Sequence, residues 1–181
     1  YENSFIWLKE AGVALPVYCV QEPELPLLLS KSTNLFKLFL SDVGLLASMY
    51  VDGLQLKILS REKDINFGAI YENVAAQELK AHGFELYYFN SKKQGELDFV
   101  IEYKGNVLPL EIKSGKAYTR HNALDNVLKE ERYAIPQAFV FCNKNISTQE
   151  KIVYLPIYMI GFLEKEKIEE YIYSIDLSAL Q

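Results

Sequence analysis

The sequence predicts an α/β fold built on a mixed sheet, and three stretches carry that prediction. Ile70, Tyr71, Val74, Ala75 and Leu79 recur at helical spacing, marking a helix over 67–83. "GELDFVIEYKGNVLPLEIKSG" (95–115) alternates as two strands around a tight turn. "TRHNALDNVLKEERY" (119–133) reads as a polar-faced helix and "QAFVFCN" (137–143) as the buried strand after it. With "FELYYFN" (84–90) as a further strand, the order is α-β-β-β-α-β. An antiparallel hairpin then lies inside a mixed sheet flanked by the 67–82 and 119–131 helices.

The remaining elements follow in chain order. "NSFIWLKEAG" (3–12) suits a short helix ending at Gly12. "PVYCV" (16–20) and "LFKLFL" (35–40) read as strands joined by a Pro- and Ser-containing connection. "SDVGLLASMY" (41–50) is a short helix capped by Ser41 or Asp42. The polar stretch 51–66 lacks periodicity and is the expected boundary before the main domain. Gly83 is placed to end the 67–83 helix, and "KKQG" turns the chain into the hairpin. A strand at 152–155 leads to a helix from about Pro156, whose ring fits a first helical turn, and then to a charged tail.

Alternation along the hairpin divides its side chains between two faces. Leu97, Phe99, Ile101 and Tyr103 share one face with Leu108, Leu110 and Ile112, the expected core. The other face carries Glu96, Asp98, Val100 and Glu102 with Val107, Pro109, Glu111 and Lys113. The turn sets which charges meet. A two-residue Lys104-Gly105 turn puts Asp98 across from Glu111, and a Gly105-Asn106 turn puts it across from Lys113. A three-residue loop without a compensating bulge would turn Asp98 away. Two carboxylates about 5 Å apart across a ladder can share a hard divalent cation such as Mg²⁺. An ammonium beside them can stabilise charge developing on phosphorus. The same three residues also suit a solvated face on which Lys113 pairs a carboxylate, and three charges alone are a weak motif. On that wet face, removal of Asp98 is expected to cost little stability.

Composition narrows the function classes. Of the 181 residues, 50% are hydrophobic and 24% charged, which suits a soluble globular chain. The net charge of −5 argues against a general polyanion binder, although a local basic patch remains compatible with it. The two cysteines, Cys19 and Cys142, are too far apart for a CxxC metal site, and reduced thiols are expected. The most apolar run, "IVYLPIYMIGFL" (152–163), is too short to span a bilayer and is broken by Pro156, so no membrane association is expected. Because the chain begins at Tyr1 and not at Met, a fragment of a longer cytoplasmic polypeptide is expected.

Asp98 followed by Glu111-Ile112-Lys113, behind a helix bearing Glu72, is similar to the PD-(D/E)xK nuclease pattern in its α-β-β-β-α-β core. The family's Pro before the Asp is Leu97 here, at a position that varies. "LSDVGLLASM", "FGAIYENVAAQEL", "LYYFNSKKQGELDFVIEYKGNVLPLEIKSGK" and "PIYMIGFL" together resemble the C-terminal domain of unknown function behind bacterial and archaeal AAA+ ATPase cores. That resemblance runs over nearly the whole chain. It implies the tail of a winged-helix-like segment over 1–50, a linker over 51–66 and a nuclease-like domain over 67–181.

The resemblance further implies Asp98 and Glu111 as ligands for Mg²⁺ or Mn²⁺, Lys113 as the catalytic lysine, and Glu72 as the helix-borne glutamate supporting the metal or its water. DNA is the implied substrate, and the ATPase core of the parent chain the implied partner. The P-loop pattern GxxxxGK[ST] is absent from this sequence, so ATP binding would belong to the part preceding it. No oligomeric state is implied. Lys116 and Arg120 flank the expected helix start near Thr119, whose dipole favours phosphate, and Lys92 and Lys93 stand in the loop before the hairpin. These four are the expected DNA contacts, and a solvated basic helix start explains Lys116 and Arg120 equally well. Asn73 and Gln77 could line the site or simply be polar helix positions, and His82 and His121 are expected at the surface or as caps. Besides a metal-dependent nuclease, two further functions fit: a non-catalytic DNA- or partner-binding module regulating an attached ATPase, and a purely structural domain.

Overall fold

Alternation and helical periodicity resolve into one eight-stranded sheet with helices on both faces. The computed structural model describes residues 2–49, 53–60 and 67–165. The strands are β1 (Ala14–Val20), β2 (Lys31–Leu40), β3 (Tyr87–Ser91), β4 (Gly95–Tyr103), β5 (Asn106–Ile112), β6 (Ala138–Cys142), β7 (Ser147–Gln149) and β8 (Ile152–Pro156). Their spatial order is β2-β1-β3-β4-β5-β6-β8-β7. β3, β4 and β5 run antiparallel to their neighbours in the series, whereas β1 pairs β3, β5 pairs β6 and β6 pairs β8 in parallel. The sheet is mixed, as expected.

The helices are α1 (Glu2–Glu10), α2 (Val43–Met49), α3 (Leu54–Leu59), α4 (Gly68–Ala81) and α5 (Asn122–Lys129). Helix α4 buries Ala75, Ala76 and Leu79 against Phe99, Ile101, Leu108 and Leu110. Helix α5 buries Leu124 and Val127 in a second core with Phe89, Leu97, Val100, Val107 and Val140. The order α4-β3-β4-β5-α5-β6 matches the predicted one. Asp42 caps α2, its Oδ1 accepting the Leu45 N–H at 2.8 Å. Gly83, at φ +81°, follows α4. Of the expected 51–66 boundary, 54–59 form α3, while 51–52 and 61–66 lie outside the described residues, as does the tail from 166. In place of an α-helix after Pro156, a 3-10 helix spans Ile157–Phe162.

Two expectations about the hairpin are corrected. Its second face is not a wet, charged surface, because α5 covers Val100 and Val107 there. Nor do Leu97 and Phe99 share a face: Leu97 packs in the α5 core and Phe99 in the α4 core. The cause is a bulge in β4. Tyr87 pairs Val100 and Phe89 pairs Leu97, so Asp98 and Phe99 together oppose Tyr88.

Residues 14–40 extend the same sheet. β1 joins β3 through Tyr18–Tyr87, Cys19–Tyr88 and Val20–Phe89, and β2 completes an antiparallel pair with β1. Asn73 fastens this segment from α4, accepting the Leu40 N–H at 2.8 Å and donating to the Leu40 carbonyl at 2.9 Å. Gln77 accepts the Val43 N–H at 3.0 Å at the start of α2. These two polar residues of α4 therefore hold neighbouring backbone.

Candidate functional site

The Lys104-Gly105 turn decides the register. Both residues have positive φ, +50° and +70°, and Tyr103 pairs Asn106 across them. The ladder continues through Phe99–Leu110, so the next position on each strand is Asp98 and Glu111. This is the first of the two registers that the sequence allowed. The charge of Asp98 is felt by Glu72 on α4 and by Glu111 on the adjacent strand β5.

Glu111 is buried, only 5% exposed. Its Oε1 takes the Lys113 Nζ at 2.5 Å, and its Oε2 has no hydrogen-bond partner. Burial, and then the charge of Asp98, push its carboxyl up to about 7, and the Lys113 ammonium only partly offsets that. Asp98 accepts the Ile112 N–H at 2.7 Å. Burial raises the Asp98 carboxyl above its ordinary range, against the lowering effects of that N–H and of the Lys113 and Lys37 ammoniums. Glu72 is half-buried, and burial followed by the Asp98 charge raises it too. Glu72, Asp98, Glu111 and Lys113 thus form one electrostatically linked cluster.

The expected DNA contacts are more dispersed. Lys92, Lys116 and Arg120 are exposed, whereas exposed Lys93 stands 3.8 Å from the Glu130 carboxylate. Helix α5 begins at Asn122 and not near Thr119. The reason is His121, which is drawn inside: its ring bonds Asp125 Oδ1 at 3.0 Å and the Tyr154 hydroxyl at 2.8 Å. His121 is therefore buried, and it stands at the N-cap position of α5 without a capping hydrogen bond from its side chain. His82 does end α4, and its ring nitrogen pairs with the Leu163 carbonyl oxygen at 2.7 Å.

Sequence reasoning missed Lys37 and gave Glu96 no role. Lys37 Nζ meets Glu96 Oε1 at 2.5 Å and lies 4.9 Å from the Tyr88 ring centroid. Glu96 was visible two positions before Asp98. Nothing local marks Lys37, which reaches the cluster only because β2 joins the sheet.

A family model described as Domain of unknown function (DUF4143) matches residues 67–160. The chain belongs to this family. No curated protein and no solved structure matches it. The DUF4143 match contains Glu72, Asp98, Glu111 and Lys113, whereas β1 and β2, with Lys37, precede it.

The donor set suits a hard divalent cation. Among the described residues, no three His, Cys, Asp or Glu side chains converge closely enough to hold a metal ion. Asp98 and Glu111 supply two carboxylates, one with an unpartnered buried oxygen, and Mg²⁺ commonly takes one or two carboxylates with waters and phosphate oxygens. Among the described residues, no helix is long and apolar enough to cross a membrane.

Proposed function

We propose that this DUF4143 domain is a PD-(D/E)xK-like, metal-dependent phosphodiester hydrolase acting on DNA, within the C-terminal part of an AAA+ ATPase-family protein. One observation carries the reading. Glu111 Oε2 is a buried carboxylate oxygen with no partner, beside a second carboxylate, Asp98, that raises its proton affinity. A buried acceptor left unmade costs stability, and a cation would satisfy it. The α4-β3-β4-β5-α5-β6 order and the Asp98, Glu111-Ile112-Lys113 spacing support the family likeness.

Asp98 and Glu111 would hold Mg²⁺ or Mn²⁺, which when bound polarises a phosphodiester oxygen and acidifies a bound water. Lys113 fixes Glu111 through Oε1 and keeps further N–H donors for phosphate oxygens. Glu72, whose proton affinity is raised above the ordinary carboxylate level, is suited to take a proton from an attacking water.

The test is calorimetric titration of Mn²⁺ together with plasmid and single-strand nicking. Asp98→Asn and Glu111→Gln should abolish both activities. Lys113→Met should retain metal binding and lose cleavage. A wild-type chain that binds metal yet cuts nothing would leave the second reading, a non-catalytic DNA- or partner-binding module of the ATPase. That reading draws on the net charge of −5 and on the Lys113 ammonium being engaged by Glu111.

A further inference from the structure

We infer that Lys37 of β2 is a second cation of the candidate site, a DNA-phosphate contact supplied from outside the family-matched residues. The inference rests on the proposed DNA-binding reading and extends it to the segment before residue 67. Three observations carry it. Lys37 reaches over Tyr88 to Glu96, two residues from Asp98 on the same strand. Its position is built in, because the Phe39 ring lies 5.4 Å from that of Phe99 and Asn73, next to Glu72, clamps Leu40. Its side chain keeps 22% exposure.

Charge explains why a second cation is needed. Asp98 and Glu111 bear two carboxylates at adjacent ladder positions, Glu96 lies two residues before Asp98, and Lys113 and Lys37 return two positive charges. Without Lys37, a phosphate approaching this cluster would meet one more uncompensated negative charge. An ammonium has three donors, and the structure engages Lys37 with one carboxylate and an aromatic face, which leaves a donor for phosphate.

The experiment measures duplex and single-strand DNA binding by fluorescence anisotropy, with the 181-residue chain free of metal, across a range of salt. On duplex DNA, Lys37→Gln should reduce the slope of log affinity against log salt by about 0.9 (about 0.7 on single strands), and Lys37→Arg should restore it. The loss should be uniform across DNA sequences. If Lys37→Gln keeps the wild-type slope, Lys37 serves only to pair Glu96 and the inference falls, while the DNA reading stands. If wild type binds no DNA, both fall. A readout without variants is amine acylation of the wild-type chain: DNA should protect Lys37 several-fold, and equal labelling with and without DNA would overturn the assignment.

Discussion

Glu111 shows at the scale of one residue how a site costs the fold something. Its carboxyl sits at about 7 in the folded chain against an ordinary value of 4.5, because it is buried beside Asp98. Between those values the native state binds more protons than the unfolded chain. The Glu111 contribution is therefore full below about pH 4.5 and is lost as pH rises through about 7. Glu111→Gln should flatten that decline and raise stability at about pH 8 by on the order of 1 kcal/mol, read by urea unfolding at acidic and alkaline pH. An equal decline in the variant would show that Glu111 does not titrate in this way. Asp98 departs from the expectation of a cheap surface charge. Asp98→Ala leaves the Ile112 N–H without its 2.7 Å acceptor, and should cost about 1–3 kcal/mol. Asp98→Asn, which keeps an acceptor, should cost less, and equal midpoints for the two variants would contradict the role of that bond. Residue types and spacing made Asp98, Glu111, Lys113 and Glu72 legible in the sequence. The burial of Glu111 was not legible, because it depends on packing between segments distant in sequence.

Local elements were readable where backbone chemistry is short-range. Gly83 after α4 follows from one residue. The sequence narrowed the α2 cap to Ser41 or Asp42 and the turn to Lys104-Gly105 or Gly105-Asn106, of which the structure has Asp42 and Lys104-Gly105. The bulge in β4 was not readable, since alternation predicts an unbroken strand and the extra residue shows only against Tyr88 of the neighbouring strand. The start of α5 was misplaced for a similar reason, with the His121 partner Tyr154 lying 33 positions away. Gly95 joins these two elements. It opens β4 at φ +99°, and a Cβ there would lie 2.9 Å from the Ala123 Cβ of α5. Gly95→Ala therefore meets both a backbone penalty and a clash, and should destabilise by about 2–4 kcal/mol. Gly83→Ala, at φ +81° with nothing within 4 Å, should lose only the backbone part, about 1–2 kcal/mol. Comparable thermal midpoints for the two variants would show that the Ala123 contact relaxes freely.

Across the whole molecule, the sheet extends beyond the family-matched residues, because β1 pairs β3 and β2 pairs β1. Sequence pattern showed that these strands exist, but not that they lie beside β3, since pairing between distant segments leaves no local signal. In the order β2-β1-β3-β4-β5-β6-β8-β7, the two strands that carry Asp98 and Glu111 occupy the middle. A ligand tying β4 to β5 should thus stabilise the molecule as a whole. Divalent metal requires deprotonated carboxylates, and Glu111 at about 7 holds its proton below neutrality. Mn²⁺ should therefore raise the thermal midpoint more at about pH 8 than at about pH 6, since affinity grows as that proton leaves. At a free concentration 100 times the dissociation constant, the gain is about 2.7 kcal/mol. Differential scanning fluorimetry at both pH values, with Asp98→Asn beside wild type, measures it. A shift that is independent of pH, or that survives Asp98→Asn, would place the cation elsewhere on the chain. A shift confined to alkaline pH and abolished by Asp98→Asn would tie the stability of the sheet to the two carboxylates at its centre.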